Sequence, residues 1–406
     1  MKRRWEKASR DPVVTMSTVA LVRIAAAVVV ALLLAGAVLV IDQLPIDQAS
    51  VRATQAKSDF SAVARYVFIP SSGVPLITVA DRNSDTVVGT LEAGLVPEQV
   101  VVSEATNKLA AADGFARGVS VVDLTNGSHT MIELDFAPQR LIGSPDGYMV
   151  AAADLSGGSV AFIELMRARV TARITALSPL RDVMFGADGA FLYVVAEGLH
   201  GIGVVDVARG TLIEEISVLS LRSAGAAGLT RSPSGRMGYV KTQGNGTISL
   251  IDLSNFRLSR EIEVGRDAVK AFPTGFGGYL VVPDNSEQAV TIIANASLTV
   301  AAMLKGTAGM TTVHSGWFDT LALLPSATER KLLVYDLDRL SRAPDISLPG
   351  SPAAGAVTQD GAKLYLALQD AGKVAVIDLQ TRRLARTIAA PSPMAAIMAK
   401  SFDVCH

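Results

Sequence analysis

The amino-acid sequence predicts an all-β fold from three observations: a repeated strand, a repeated tight turn and chain ends that complement each other. The repeated strand has eight copies, at Ile77–Asp81, Val119–Asp123, Val160–Glu164, Ile202–Asp206, Ile248–Asp252, Val290–Ala294, Leu332–Asp336 and Val374–Asp378. Successive copies begin 42, 41, 42, 46, 42, 42 and 42 residues apart. A fixed period of about 40–45 residues built of short strands is typical of propeller blades. The sequence therefore predicts an eight-bladed β-propeller.

Each repeat is predicted to contain four strands. The first follows a proline or a small residue, as in Pro97–Ser103, and runs into a turn such as Ser144–Gly147. Asp-Gly is a strong hairpin signal because the centre of a tight turn needs positive φ, which glycine adopts without strain. A second strand such as Phe191–Val195 precedes the acidic-ended third strand. The fourth strand, as in Leu212–Ile216, is more polar, which suits an outer edge where charges discourage pairing with another sheet.

The number of strands of each type indicates how the ring closes. Eight second strands run from Arg65–Ile69 to Lys363–Ala367, and eight first strands run from Pro97–Ser103 to Pro393–Ala399. The N-terminal blade therefore lacks a first strand, and the C-terminal segment supplies one. We expect the two ends to share one sheet, because this removes the free edges of an open ring. A seven-bladed ring is the alternative, since the repeats at Val290 and Leu332 are less regular.

The first 61 residues are predicted to attach the propeller to a membrane. Ile24–Ile41 is 18 residues without a charge, and a helix of that length spans about 27 Å, close to the ~30 Å hydrocarbon core of a bilayer. Residues 1–23 carry six basic and two acidic side chains, a balance of +4 that keeps this end in the cytoplasm. The predicted organisation is a cytoplasmic segment (1–23), a transmembrane anchor (24–41), a linker (42–61) and the propeller (62–406).

A cleaved signal peptide is the alternative to this anchor. Ala35-Gly36-Ala37 has the small-x-small pattern of a cleavage site, and a start at Met16 gives a more ordinary signal length. Both interpretations place the propeller on the periplasmic side of a bacterial inner membrane.

Composition and motifs favour a binding role over catalysis. The formal charge of −1 argues against a nucleic-acid partner. A single cysteine, Cys405, excludes an intramolecular disulfide. The sequence has no nucleophile elbow with triad partners, no P-loop and no zinc-ligand spacing. The repeated aspartates at the ends of the third strands are expected to accept hydrogen bonds from turn backbone, since an active site is needed only once.

The succession of a strand ending in Asp, a proline, a strand, Ser-Pro-Asp-Gly and Leu-Tyr-Val resembles the YVTN-type propeller repeat. The residues that carry this resemblance are Pro138, Ser144–Gly147, Leu192–Val194, Val204–Asp206, Leu364–Leu366 and Val376–Leu379. Among similar propellers, the eight-blade count most resembles the haem-binding propeller of periplasmic cytochrome nitrite reductases. Those reductases also carry a cytochrome c domain, whereas this sequence has no Cys-x-x-Cys-His motif. Other similar propellers are lactonases and the heavy subunits of quinone amine dehydrogenases.

A group of basic residues is predicted to surround one mouth of the central channel. The candidate ligand-binding residues are Arg140, Arg181, Arg222 and Lys270, together with His200 in a glycine-flanked loop on the same face. Such cations suit an anionic ligand, for example a carboxylate-bearing cofactor, and a histidine there would suit an axial haem ligand or a proton donor. The alternative is that the cations pair with Glu98, Asp182 and Asp267 or remain solvated, and that His200 is an ordinary loop residue.

The sequence therefore predicts a membrane-anchored periplasmic propeller that acts as a binding or scaffold module for a protein partner or a small ligand. The alternative is a haem- or quinone-linked oxidoreductase subunit or cofactor carrier, as the resemblance implies. A lactonase-like hydrolase is a third, weaker hypothesis. No catalytic and no metal-ligating residue is assigned, and the cofactor is left open.

Overall fold

The computed structural model describes residues 59–400 except residues 176, 219–225, 243 and 245. This part of the chain forms eight antiparallel sheets, with two short 3-10 helices, η1 (Val63–Arg65) and η2 (Gln369–Ala371), and no α-helix. The prediction of an all-β, eight-bladed propeller is confirmed. The predicted transmembrane segment 24–41 lies outside the described residues. Among the residues that are described, no helix is long and apolar enough to cross a membrane.

Each sheet is one blade, and in every blade the strands neighbour each other in chain order. Blade 1 contains β1 (Tyr66–Pro70), β2 (Leu76–Asp81) and β3 (Thr86–Glu92). Blade 2 contains β4 (Gln99–Ser103), β5 (Lys108–Ala112), β6 (Gly118–Asp123) and β7 (His129–Glu133). Blade 3 contains β8 (Arg140–Gly143), β9 (Met149–Asp154), β10 (Ser159–Glu164) and β11 (Arg169–Ile174). Blade 4 contains β12 (Leu180–Phe185), β13 (Phe191–Ala196), β14 (Gly201–Asp206) and β15 (Thr211–Ser217).

The second half of the ring repeats this arrangement with one irregular blade. Blade 5 contains β16 (Ala226–Arg231), β17 (Met237–Thr242), β18 (Thr247–Asp252) and β19 (Arg257–Glu263). Blade 6 contains β20 (Phe272–Pro273), β21 (Tyr279–Asp284), β22 (Ala289–Ala294) and β23 (Thr299–Lys305). Blade 7 contains β24 (His314–Gly316), β25 (Leu321–Ser326), β26 (Lys331–Asp336) and a divided outer strand, β27 (Ser341–Arg342) and β28 (Ile346–Ser347). Blade 8 contains β29 (Pro352–Val357), β30 (Lys363–Leu368), β31 (Lys373–Asp378) and β32 (Arg383–Ala389).

Blade 1 receives its inner strand from the C-terminal end of the described chain. The backbone N–H of Phe68 donates to the carbonyl oxygen of Ile397, and the N–H of Ile397 donates to the carbonyl oxygen of Phe68, both at 2.9 Å. Ser71 and Pro393 form a second antiparallel bridge of the same pair. The predicted meeting of the two chain ends in one sheet is thereby confirmed.

The hydrophobic core lies between the faces of neighbouring blades. At the junction of blades 8 and 1, for example, Val67, Tyr365 and Ile388 belong to one buried cluster. The outer strands are different, because β15 and β19 each expose six of their seven residues. The predicted polar outer edge is therefore present, and the buried surface is concentrated on the inner strands.

The aspartates that end the third strands close the turns that follow them. The carboxylate of Asp123 accepts a hydrogen bond from the backbone N–H of Thr125 at 2.8 Å. The same type of bond, to an N–H two or three residues later, is made by Asp206, Asp252, Asp336 and Asp378. This confirms the structural role predicted for the repeated acid.

The turn between the first two strands of blade 7 departs from its equivalents. Glycine has positive φ in this turn in five other blades, at Gly147, Gly189, Gly235, Gly277 and Gly361. Blade 7 instead has three consecutive residues in the left-handed region, Trp317, Phe318 and Asp319, with φ of 49°, 57° and 66°. A left-handed conformation costs an L-residue about 1–2 kcal/mol. This turn is therefore strained. Its atypical sequence makes this repeat less regular than the others.

Candidate functional site

A β-bulge at the start of β12 places two neighbouring residues in different environments. The register between β12 and β13 shifts between Leu180 and Asp182, so that Arg181 has no partner in the ladder. Such a bulge re-aims the side chains beside it. The side chain of Arg181 is 46% exposed, whereas that of Asp182 is 3% exposed. Asp182 is therefore a buried carboxylate beside the channel.

Asp182 connects four blades through its two carboxylate oxygens. Oδ1 accepts a hydrogen bond from the N–H of Val183 at 3.1 Å and faces Nη2 of Arg140, from blade 3, at 3.4 Å. Oδ2 accepts a hydrogen bond from the N–H of Leu229, in blade 5, at 2.9 Å. Nζ of Lys270, which precedes β20 in blade 6, also donates to Oδ2. The predicted residues Arg140 and Lys270 are thus brought together by a shared counter-ion.

Gly228 makes the long reach of Lys270 geometrically feasible. A Cβ atom at position 228 would lie 2.8 Å from Cε and 3.0 Å from Cγ of Lys270. The stem of Lys270 therefore crosses directly over the backbone of β16 to reach Asp182 in blade 4. Any larger residue at position 228 would displace this stem.

The Asp182 cluster, defined as Asp182, Arg140 and Lys270, carries excess positive charge. Two cations share one carboxylate, so the formal charge is two minus one, or +1. The side chain of Arg140 is 32% exposed and that of Lys270 is 21% exposed. A guanidinium has five donors, and only one contact of Arg140 is with Asp182. The cluster therefore offers charge-assisted donors to an anion in the mouth.

Arg181, another predicted site residue, pairs outside this cluster. Arg181 pairs with Glu197 at 2.5 Å, and both side chains are about half exposed, at 46% and 51%. Arg222 lies outside the described residues. Of the three acids considered as partners, Asp182 takes two of the cations, while Glu98 and Asp267 form no ion pair within the described chain.

His200 lies on the outer side of blade 4. It directly precedes β14, and its backbone N–H donates to the carboxylate of Glu215 on β15 at 2.6 Å. Because β14 is two strands from β12, His200 is about 10 Å from the inner strand at a spacing of about 4.8 Å per strand. The structure therefore does not bring His200 together with Arg140 and Lys270.

The described histidines do not fit an axial haem ligand at this mouth. His200 is exposed but lies two strands out from β12, and His129 belongs to β7, the outer strand of blade 2. His314 is on an inner strand, but it is buried, with 1% exposure. An axial ligand needs an imidazole nitrogen facing the iron, and none of these three residues presents one in the mouth.

The alternative stated from the sequence, that the cations pair with Asp182, is confirmed for Arg140 and Lys270. The sequence did not predict that one carboxylate holds both of them. The bulge that turns the side chain of Asp182 inwards has no signal of its own in the sequence. Gly228 was a usable sign of the close approach of Lys270, because an isolated glycine in a strand often marks a bulge or a close approach.

No protein-family model matches the chain, and no curated protein matches it. Among solved structures, the chain is similar to dihydro-heme d1 dehydrogenase NirN in complex with DHE, with a TM-score of 0.71 and 14% identity over 83% of this chain and 75% of that chain. It is similar to hydrazine synthase of Kuenenia stuttgartiensis, with a TM-score of 0.54 and 18% identity over 70% and 95% of the two chains. It is also similar to apo AztD from Citrobacter koseri, with a TM-score of 0.61 and 14% identity over 82% and 97%. At these identities the likeness shows the fold: the chain is an eight-bladed β-propeller similar in fold to NirN and AztD.

Proposed function

We propose that this protein is a membrane-anchored periplasmic propeller that binds an anionic group, carried by a small ligand or by a protein partner, at the mouth of its channel. The charge-free segment 24–41 and the +4 balance of residues 1–23 support an anchor with this orientation. A closed ring with variable loops supports a binding role, because a rigid frame holds recognition residues in fixed positions.

The observation that carries the proposal is the Asp182 cluster. Its carboxylate is buried and fixed by two backbone N–H groups, at Val183 and Leu229, so the two cations are held in place before a ligand arrives. Pre-positioned donors cost less entropy on binding than free side chains. The surplus positive charge then favours an anion over a neutral ligand.

Purification of the full-length protein from membranes tests this proposal. We expect a partner chain or a small anionic molecule to copurify, detected by mass spectrometry. Arg140→Gln together with Lys270→Gln should remove it. Arg173→Gln is the matched control, because Arg173 lies on the outer strand β11 and forms an exposed pair with Asp135. Retention of the same ligand by the double variant would contradict the proposal.

A second candidate function is a haem- or quinone-linked oxidoreductase subunit or cofactor carrier. It is supported by the likeness to the NirN structure, which contains DHE, and by the cationic mouth. A Soret band in the absorption spectrum of the purified protein would favour this function. Under it, Arg140→Gln together with Lys270→Gln should release the cofactor, whereas His200→Ala should retain it, because His200 lies two strands away from the mouth.

A further inference from the structure

One position in the inner strands differs from its equivalents in charge. In seven blades an inner-strand residue pairs with the second-strand residue seven positions later. These pairs are Val102 with Leu109, Gly143 with Val150, Phe185 with Leu192, Arg231 with Gly238, Pro273 with Leu280, Ser315 with Ala322 and Val357 with Leu364. Arg231 is the one charged residue in this series, and Gly238 is its one glycine partner. A feature found once in a repeated frame indicates a specific role.

Arg231 lines a small cavity in the channel wall. The cavity has a volume of about 30 Å³, and its walls come from the inner strands of blades 3, 4 and 5, including Ile142, Val183 and Phe185. Thr230 also lines it, but the hydroxyl of Thr230 donates to the carbonyl oxygen of Ala271 at 2.5 Å. Arg231 is therefore the charged residue in a largely apolar cavity.

The guanidinium of Arg231 has no partner among the described residues. Neither a hydrogen bond nor an ion pair joins it to any residue of that part of the chain. Asp188, an acidic residue in the turn after β12, accepts a hydrogen bond from the backbone N–H of Ala190 at 3.0 Å. Burial lowers the pKa of Arg231. Arg231 is partly buried, and its guanidinium donors are not used by the described residues, so this cavity favours an anion.

The chemistry of Arg231 indicates which anion suits this cavity. The two oxygens of a carboxylate match the planar fork of a guanidinium in a bidentate pair. The largely apolar walls, which include Ile142, Val183 and Phe185, suit the carbon atoms to which such a carboxylate is attached.

We propose that Arg231 forms a binding site for a single carboxylate group in the channel wall, occupied by a free carboxylate or by the carboxylate end of a larger ligand. This site is separate from the Asp182 cluster. Arg231 lies two residues beyond Leu229, whose N–H is bonded to Asp182, which places it about 7 Å further along β16. It therefore extends recognition below the mouth and does not depend on what the mouth binds.

Thermal unfolding of the full-length protein in detergent tests this site, with acetate as the probe and acetamide as its neutral analogue. We expect saturating acetate to raise the unfolding midpoint by about 2–4 °C and acetamide to leave it unchanged. Arg231→Met should abolish the acetate-dependent rise. Without acetate, the midpoint of this variant should be equal to or above that of the wild type, because an apolar side chain replaces a partly buried charge that has no partner among the described residues.

Arg236→Met is the matched control, because Arg236 is an exposed arginine whose side chain is 71% accessible. This variant should keep the full response to acetate. Repeating the measurements with Arg140→Gln and Lys270→Gln added excludes a contribution from acetate bound at the mouth. Arg231→Lys, which keeps the charge but loses the planar fork, should need several-fold more acetate for half of the shift. An equal acetate response in the wild type and Arg231→Met, or no response in the wild type, would overturn the proposal.

Discussion

Tyr365 donates its phenolic hydrogen to the carboxylate of Asp85, a residue 280 positions earlier in the chain. The two residues lie on either side of the junction between blade 8 and blade 1, and Lys363 pairs with the same carboxylate at 2.8 Å. Burial and then the Asp85 carboxylate raise the pKa of Tyr365, so its hydroxyl remains a donor. The junction at which the ring closes is therefore held by side chains as well as by the paired backbones.

Tyr365→Phe should destabilise the protein. The substitution removes a buried hydrogen bond to a charged acceptor, which is worth about 1.5–3 kcal/mol. The measurement is the thermal or urea midpoint. Tyr239→Phe is the control, because Tyr239 bonds across the junction of blades 5 and 6 to the neutral amide oxygen of Asn295 at 3.3 Å. We expect a loss of about 1 kcal/mol there, and equal losses in both variants would contradict this role for the Asp85 carboxylate.

Asp182→Asn should cost about 3–5 kcal/mol, because it leaves two cations without their buried counter-ion. The free energy of unfolding in urea measures this loss. Adding Lys270→Gln should recover part of it, since one uncompensated charge is then removed. Glu197→Gln breaks the exposed pair with Arg181 and should cost under about 1 kcal/mol. If Asp182→Asn with Lys270→Gln were no more stable than Asp182→Asn alone, the uncompensated charge would not be the cause of the lost stability.

Gly228→Ala should disrupt the Asp182 cluster without changing any charge. The added Cβ would lie 2.8 Å from Cε of Lys270, so the lysine stem must move away from Asp182. We expect lower stability than the wild type and weaker retention of the ligand that copurifies with it. Gly278→Ala is the control, because a Cβ atom added there would lie 3.9 Å from its nearest neighbour, Oδ2 of Asp319. Gly73→Ala is not suitable, because Gly73 has a φ of 76° and alanine would be strained there.

Between neutral and low pH, stability should fall only in acid. Burial opposes ionisation of Asp123, but Lys108 and the Thr125 backbone outweigh it and lower the pKa of this carboxyl below 3.8. Burial likewise opposes ionisation of Asp336, and hydrogen bonds from Arg339 and Arg382 lower its pKa. Groups with lowered pKa contribute stability that is fully present above their unfolded pKa of 3.8 and is lost as pH falls through the folded values. Thermal midpoints should therefore be flat from pH 7 to about pH 5 and drop below about pH 4. A drop that begins near pH 6 would contradict this assignment to the lowered carboxyl groups.

Phe318→Gly should stabilise the protein by about 1 kcal/mol, because glycine adopts positive φ without strain. Phe318 has φ of 57° and is 65% exposed, so little buried surface is lost. Phe276→Gly is the matched control: Phe276 is 68% exposed in the equivalent turn of blade 6 but is not in the left-handed region. Glycine there should lower the midpoint, because it only adds freedom to the unfolded chain.

The parts of this fold that repeat could be predicted from the sequence. The strand-end acid at Asp123 and its equivalents, the eight blades and the pairing of Phe68 with Ile397 all follow from patterns that recur or must complement each other. The candidate site could be predicted only in part. Arg140 and Lys270 were found because they are basic residues at the start of inner strands.

What the sequence did not reveal depends on local distortions of the strands. The bulge at Leu180–Asp182 separates Arg181 from the cluster and turns Asp182 into it. Blades 5 and 8 have a register shift at the equivalent place, so the acidic residue at the bulge, and not the bulge itself, is particular to blade 4. The outward position of His200 follows from its loop joining the third strand rather than the inner one. Arg231 was overlooked because it ends an inner strand, at a position whose equivalents in the other blades are apolar or small.

Because residues 393–397 supply the inner strand of blade 1, this blade can be completed only after the end of the chain has been synthesised. The N-terminal sheet emerges first from the ribosome, yet it stays one strand short until nearly all of the chain has followed. During that interval β1 presents a bare edge that invites pairing with foreign strands. A chaperone that shields this edge, or rapid release of the last segment, would decide the yield of folded protein.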